Sequence, residues 1–171
     1  MRFARLTYAV ILSGTAAWCA LIVLAPAAAS SARFVQYGGI LYAFFSPLCH
    51  QIDARSFHLF GGPLAVCARC FAIYTGFLSG AIAYPLVGRL FRGVRPGRVF
   101  LIVALAPMVL DVILEAAGLY ESSNALRAVT GGWFGVLLPF LIIPGAAEGI
   151  SQLLTQPDPH SIQTEKGLID A

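Results

Sequence analysis

Cys67 and Cys70 stand in a C-A-R-C run, and Cys49, His50 and His58 lie just upstream. The stretch CHQIDARSFHLFGGPLAVCARC, residues 49–70, holds three of the chain's four cysteines and two of its three histidines. Soft sulfur and nitrogen donors at this density suit zinc, which takes four such ligands tetrahedrally, often with a C-x-x-C pair as one half. Cys49, His50, Cys67 and Cys70 complete that number. Neighbouring Cys49 and His50 can both ligate only through an unusual backbone, so His58 is the alternative fourth ligand. The same residues admit thiol–disulfide chemistry. A C-x-x-C at a helix start has its thiolate stabilised by the helix dipole and by a cation such as Arg69. Cys49 would then exchange with the pair, and a quinone would take the electrons. Such enzymes generally need two redox pairs, and Cys19, inside an apolar run, is a poor fourth member. In a third reading the cysteines form a structural disulfide that braces the loop of a transport or accessory protein.

The elements that must position this window are apolar. Of the 171 residues, 58% are hydrophobic and 11% charged, with mean hydropathy +0.81. A soluble domain carries about 25% charge, so the chain reads as an all-α, polytopic transmembrane bundle. Spans are expected near residues 8–29, 63–87, 100–119 and 129–153, each close to the roughly 20 residues that cross a bilayer. Residues 34–48 are short for a crossing, contain two glycines and end near Pro47, which suits an interfacial or re-entrant helix. Residues 1–155 form one integral membrane domain in this reading, and 156–171 a cytoplasmic tail. Arg2, Arg5 and the small-residue run APAAASSA also suit a secretory signal. The apolar run from Tyr8 exceeds the usual apolar core of about 7–15 residues, so the first helix is expected to remain uncleaved.

Arg89, Arg92, Arg95 and Arg98 crowd the connection between the second and third spans. Basic residues in short loops stay cytoplasmic. The cysteine window therefore faces the extracytoplasmic side, with both chain ends inside. Asp111 and Glu115 lie one helical turn apart in the outer half of the third span. A carboxylate at membrane depth costs about 2.5–3.5 kcal/mol on insertion scales, so it is retained for a partner or a task. Arg69 and Arg127 are the expected partners. Asp111 then serves as a buried ion pair, or as a ligand, proton carrier or general base beside the cysteines, with Glu115 sharing the role. Gln51, Arg55, Ser56, Arg69, Glu115, Asn124 and Arg127 are expected as a polar rim or as ion-pair partners. Arginine beside serine and asparagine suits an anionic group such as a lipid phosphate. Gly76 with Gly80, and Gly131 with Gly135, read as packing seams. The expected surroundings are a lipid bilayer and a lipid or quinone ligand, with no nucleic acid.

FFSPLCHQIDARSFHLFGGPLAVCARC, followed by IYTG, resembles a family of prokaryotic membrane proteins classed as domain of unknown function 2085. Its pattern reads C-H-Q…R-S-F…C-x-R-C. LDVILEAAGLYESSNALRAVTGGWFG resembles the family's second block, an intramembrane Asp followed by S-x-N-x-x-R and T-G. The two blocks cover about residues 40–135. The resemblance implies site positions at Cys49, His50, Gln51, Arg55, Ser56, Cys67, Arg69, Cys70, Asp111, Asn124 and Arg127. It favours His50 over His58 as the nitrogen ligand and implies no activity. Phe71 and Ala72 stand where the family usually has Thr-Gly, and Val112 where Gly commonly follows the Asp.

Overall fold

A computed structural model describes residues 2–90 and 97–155. The expected tail at 156–171, and Arg92 and Arg95 of the basic connection, lie outside the described residues. The elements in chain order are α1 (Arg2–Ala29), α2 (Val35–Phe45), a 3-10 turn (Asp53–Arg55), a hairpin of β1 (His58–Leu59) and β2 (Gly62–Pro63), then α3 (Ala68–Leu90), α4 (Arg98–Ala116) and α5 (Asn124–Thr155). Four of these helices are long and apolar enough to cross a membrane, over Arg5–Ala29, Ala68–Val87, Arg98–Ala116 and Asn124–Ile150. The protein is a polytopic helical membrane bundle, with α2 as the short fifth helix. Its outward faces are apolar: Val99, Ile102, Leu110 and Ile113 of α4 are all exposed. Such faces suit hydrocarbon as solvent and not water.

The most extensive helix contact joins α3 to α5, and glycines make it possible. A Cβ at Gly76 would lie 2.7 Å from the Gly132 carbonyl oxygen, and one at Gly131 would lie 2.6 Å from that of Arg69. Gly80 and Gly135 press in the same way on the carbonyls of Val136 and Ile73. The two backbones touch because no side chain intervenes. That contact fixes Arg69 on α3 next to the start of α5.

α2 is 11 residues long, about 16 Å at helical rise, and folds back against α1. Gly38 allows the approach, since a Cβ there would meet the Ala29 backbone nitrogen at 2.6 Å. Trp18 of α1 packs edge-on to Phe44, Phe45 and Tyr74, at 5.6, 5.1 and 5.8 Å between centroids. The chain leaving α2 thereby returns to the level of Ile22. There Ile22, Ala25, Phe45, Cys49, Leu64, Ala65 and Val66 form a buried cluster.

The first and fourth long helices begin earlier than expected, at Arg2 and Asn124, and two further boundaries differ for a local reason. The second long helix begins at Ala68 rather than Pro63, because Gly62 and Pro63 pair with β1 and Leu64–Val66 run buried beneath the loop. The third ends at Ala116 rather than near 119, because Gly118 adopts φ 69°. Its N–H reaches the Glu115 carbonyl at 3.0 Å, while Leu119 N–H reaches that of Leu114 at 3.1 Å, a glycine-capped helix end.

Candidate metal centre and its ion-pair wall

The last turn of α2 delivers Cys49, whose N–H bonds the Phe45 carbonyl at 3.1 Å. Gln51 then reverses the chain at φ 51°, and its side-chain amide donates to the carbonyls of Tyr42 and Ala65, both at 2.8 Å. Phe60 and Gly61, both at positive φ, form the two-residue turn between Leu59 and Gly62, the backbone that a tight hairpin favours. Tyr42 donates its hydroxyl to the Pro63 carbonyl, and burial raises the Tyr42 pKa. Leu64 N–H bonds the Phe57 carbonyl at 2.8 Å. These bonds bring Cys67 back to Cys49, where Cys67 N–H donates to Cys49 Sγ at 3.2 Å. Cys70 follows one turn into α3.

The sulfurs of Cys49, Cys67 and Cys70 all lie within 4.8 Å of one another, a group that could hold a metal ion. Zinc–sulfur bonds of about 2.3 Å at a tetrahedral angle put sulfurs about 3.8 Å apart, so the three thiols fit with slight closure. All four cysteines are free thiols. A hydrogen bond from Cys70 holds the Cys67 thiol well below its ordinary pKa, at about 5, against the opposing effect of burial.

A cavity of about 190 Å³ opens beside the sulfurs and is also bordered by His50, Arg55, Arg69 and Arg127. His50 is exposed and lies outside the three-thiol group. His58, on β1, is exposed and bonds Asp53 at 3.1 Å.

The arginines that border the cavity belong to an ionic wall. Arg69 meets Asp111 Oδ2 at 2.5 Å and Glu115 Oε2 at 3.3 Å. Glu115 Oε1 receives Arg127 at 2.7 Å and Arg55 at 3.1 Å. Asp111, 4% exposed, also accepts Ser122 Oγ at 2.9 Å, Thr130 Oγ1 at 3.4 Å and the Tyr120 hydroxyl. That last bond raises the Tyr120 pKa. Arg127 donates to Asn124 Oδ1 at 3.0 Å, and the Asn124 amide reaches the carbonyls of Ala54 and Ser56 at 3.2 and 3.4 Å. Ser56 Oγ turns inward to the Ile52 carbonyl at 2.9 Å.

Residues 49–141 match the family described as "Predicted membrane protein (DUF2085)". The chain belongs to this family. The matched segment of this DUF2085 member contains the three clustered cysteines, Asp111, Glu115 and the three arginines bonded to them. An uncharacterized protein of Methanocaldococcus jannaschii is 48% identical over 104 residues, which is 61% of this chain and 67% of that protein. No solved structure matches.

Sequence reading paired Asp111 with both Arg69 and Arg127, whereas Arg127 bonds Glu115 instead. It overlooked Tyr120 and Thr130 as donors to Asp111. The available signal for Tyr120 was Gly118: a glycine that ends the helix turns the chain back, so a residue just beyond it meets the last turns.

Proposed function

We propose that this protein holds one zinc ion at Cys49, Cys67 and Cys70, with the fourth position open to His50 or to an exogenous ligand. The observation that carries this is the convergence of three free thiols from two distant chain segments to metal-binding separation. A sulfur-rich tetrahedral set suits zinc over harder cations. A zinc ion with an open position would supply Lewis acidity and an activated water. The chain's own residues do the holding. Cys67 N–H donates to Cys49 Sγ, and Gln51 locks the loop that presents both. Asp111 serves as a positioning residue. Its oxygens already receive Arg69, Tyr120, Ser122 and Thr130, which leaves little lone-pair capacity for a general base.

In this proposal residues 1–155 form one membrane domain, the cysteines face the extracytoplasmic side, and both chain ends lie in the cytoplasm. The arginines at 89, 92, 95 and 98 support that orientation. A second reading, thiol–disulfide exchange with a quinone, is favoured by the low Cys67 pKa beside Cys70.

Purification in mild detergent without added metal, followed by metal analysis and thiol titration, tests the proposal. About one zinc per chain with protected thiols, lost in Cys49→Ser, is expected. Absence of metal, with a Cys67–Cys70 disulfide whose reduced form passes two electrons and two protons to a quinone, would replace it with the second reading.

A further inference from the structure

We infer that the cavity beside the cysteines binds a phosphate-class oxyanion through Arg55, Arg69 and Arg127. Three guanidiniums border this cavity, and the ion-pair wall offers them only two carboxylates, Asp111 and Glu115. Asp53, the acid on the neighbouring turn, is paired with His58. Arg55 and Arg127 therefore share one oxygen, Glu115 Oε1, and their other N–H groups are not taken up by these acids.

Two guanidinium nitrogens are left without an acceptor. Arg127 is 7% exposed, and its Nε, like that of Arg69, is buried without a hydrogen-bond partner. Buried donors of this kind are normally satisfied, and both belong to residues bordering the cavity. The helix ends agree as well. α3 and α5 both begin beside the cavity, and neither carries an acid in its first turn. Their positive dipole ends are thus left for a ligand's negative charge.

Size and direction select the class. About 190 Å³ is several waters' worth at roughly 30 Å³ each, enough for a tetrahedral oxyanion. The guanidiniums come from three places: the loop, α3 and α5. The two oxygens of Glu115 already take one N–H from each of the three, and a tetrahedral anion would bring four further oxygens to the N–H groups that remain. The three cysteines border the same cavity, and the anion is assigned to the arginines alone, so loss of zinc separates the two proposals.

The phosphate could be free or the head group of a lipid, and the test has an arm for each. Thermal unfolding in detergent is followed with inorganic phosphate against chloride at equal ionic strength. Retention of phosphatidic acid against phosphatidylcholine is followed in vesicles by native mass spectrometry. Stabilisation by inorganic phosphate supports a free anion, and selective retention of phosphatidic acid alone supports a head group. Arg55 is half-exposed, so Arg55→Gln is expected to fold and to weaken binding about tenfold, the scale of a lost charge-assisted bond. Arg127→Lys keeps the charge, removes the fork and is expected to weaken it as well. Cys49→Ser should lose zinc yet keep the anion. The inference is overturned if neither probe exceeds its control, if both arginine variants bind like the unaltered protein, or if anion binding vanishes with the zinc.

Discussion

The two walls of the cavity are built on opposite rules. On the ionic wall every carboxylate oxygen is taken, Asp111 by four side chains and Glu115 by three arginines. On the sulfur wall three thiols face one another, held by the Cys67 N–H on Cys49 Sγ and by a hydrogen bond from Cys70 to Cys67. Carboxylates whose oxygens are all taken fix geometry, while a cluster of free thiols is available for a ligand. The difference separates the two proposed roles: Asp111 holds Arg69 in place, and under the metal proposal the cysteines take the ligand.

The sharpest way to break that comparison is Asp111→Ala. If Asp111 is architectural, removing it strands Arg69 in a buried site and costs about 3–5 kcal/mol. This would be seen as a large loss of folded protein in a denaturant titration in detergent, with Asp111→Asn intermediate. Were the fold to survive unchanged, the saturated wall would lose its assigned role. Next in size, Cys49→Ser should reduce zinc affinity at least about 10²-fold while leaving the ionic wall and most of the stability intact, as metal titration against unfolding would show.

A smaller effect concerns protons. The Cys67 pKa is lowered, so its thiolate is favoured in the folded state. The associated stability is present above the ordinary thiol value and is lost as pH falls through about 5. Metal-free protein should therefore react with iodoacetamide at Cys67 at a nearly constant rate from pH 8 down toward about 5, while an ordinary thiol slows about tenfold per unit below about 8.5. Least of all, His58→Ala should leave zinc content unchanged and stability within about 0.5 kcal/mol, since His58 is exposed and pairs only with exposed Asp53.

Much of this was legible in the sequence because it follows from composition and short spacing. Four apolar runs predicted the four long helices, and the glycine pairs were legible as packing seams, though not that the two seams meet each other. The 49–70 region was readable as a ligand cluster, but which donors converge depended on Gln51 and on the hairpin turn. The positive φ of Gln51 and Phe60 has no spacing signal. Leu64–Val66 look like the start of a span and instead pack under a loop, since hydropathy does not distinguish burial in protein from burial in lipid. Tyr120 and Thr130 were missed because a donor to a buried acid is selected by tertiary approach and not by pattern.

Zinc K-edge X-ray absorption on the purified protein tests the central claim most directly. Three sulfurs at about 2.3 Å and one nitrogen or oxygen at about 2.0–2.1 Å are predicted. Two or fewer sulfurs around the metal, or a spectrum unchanged by Cys49→Ser, would contradict the account.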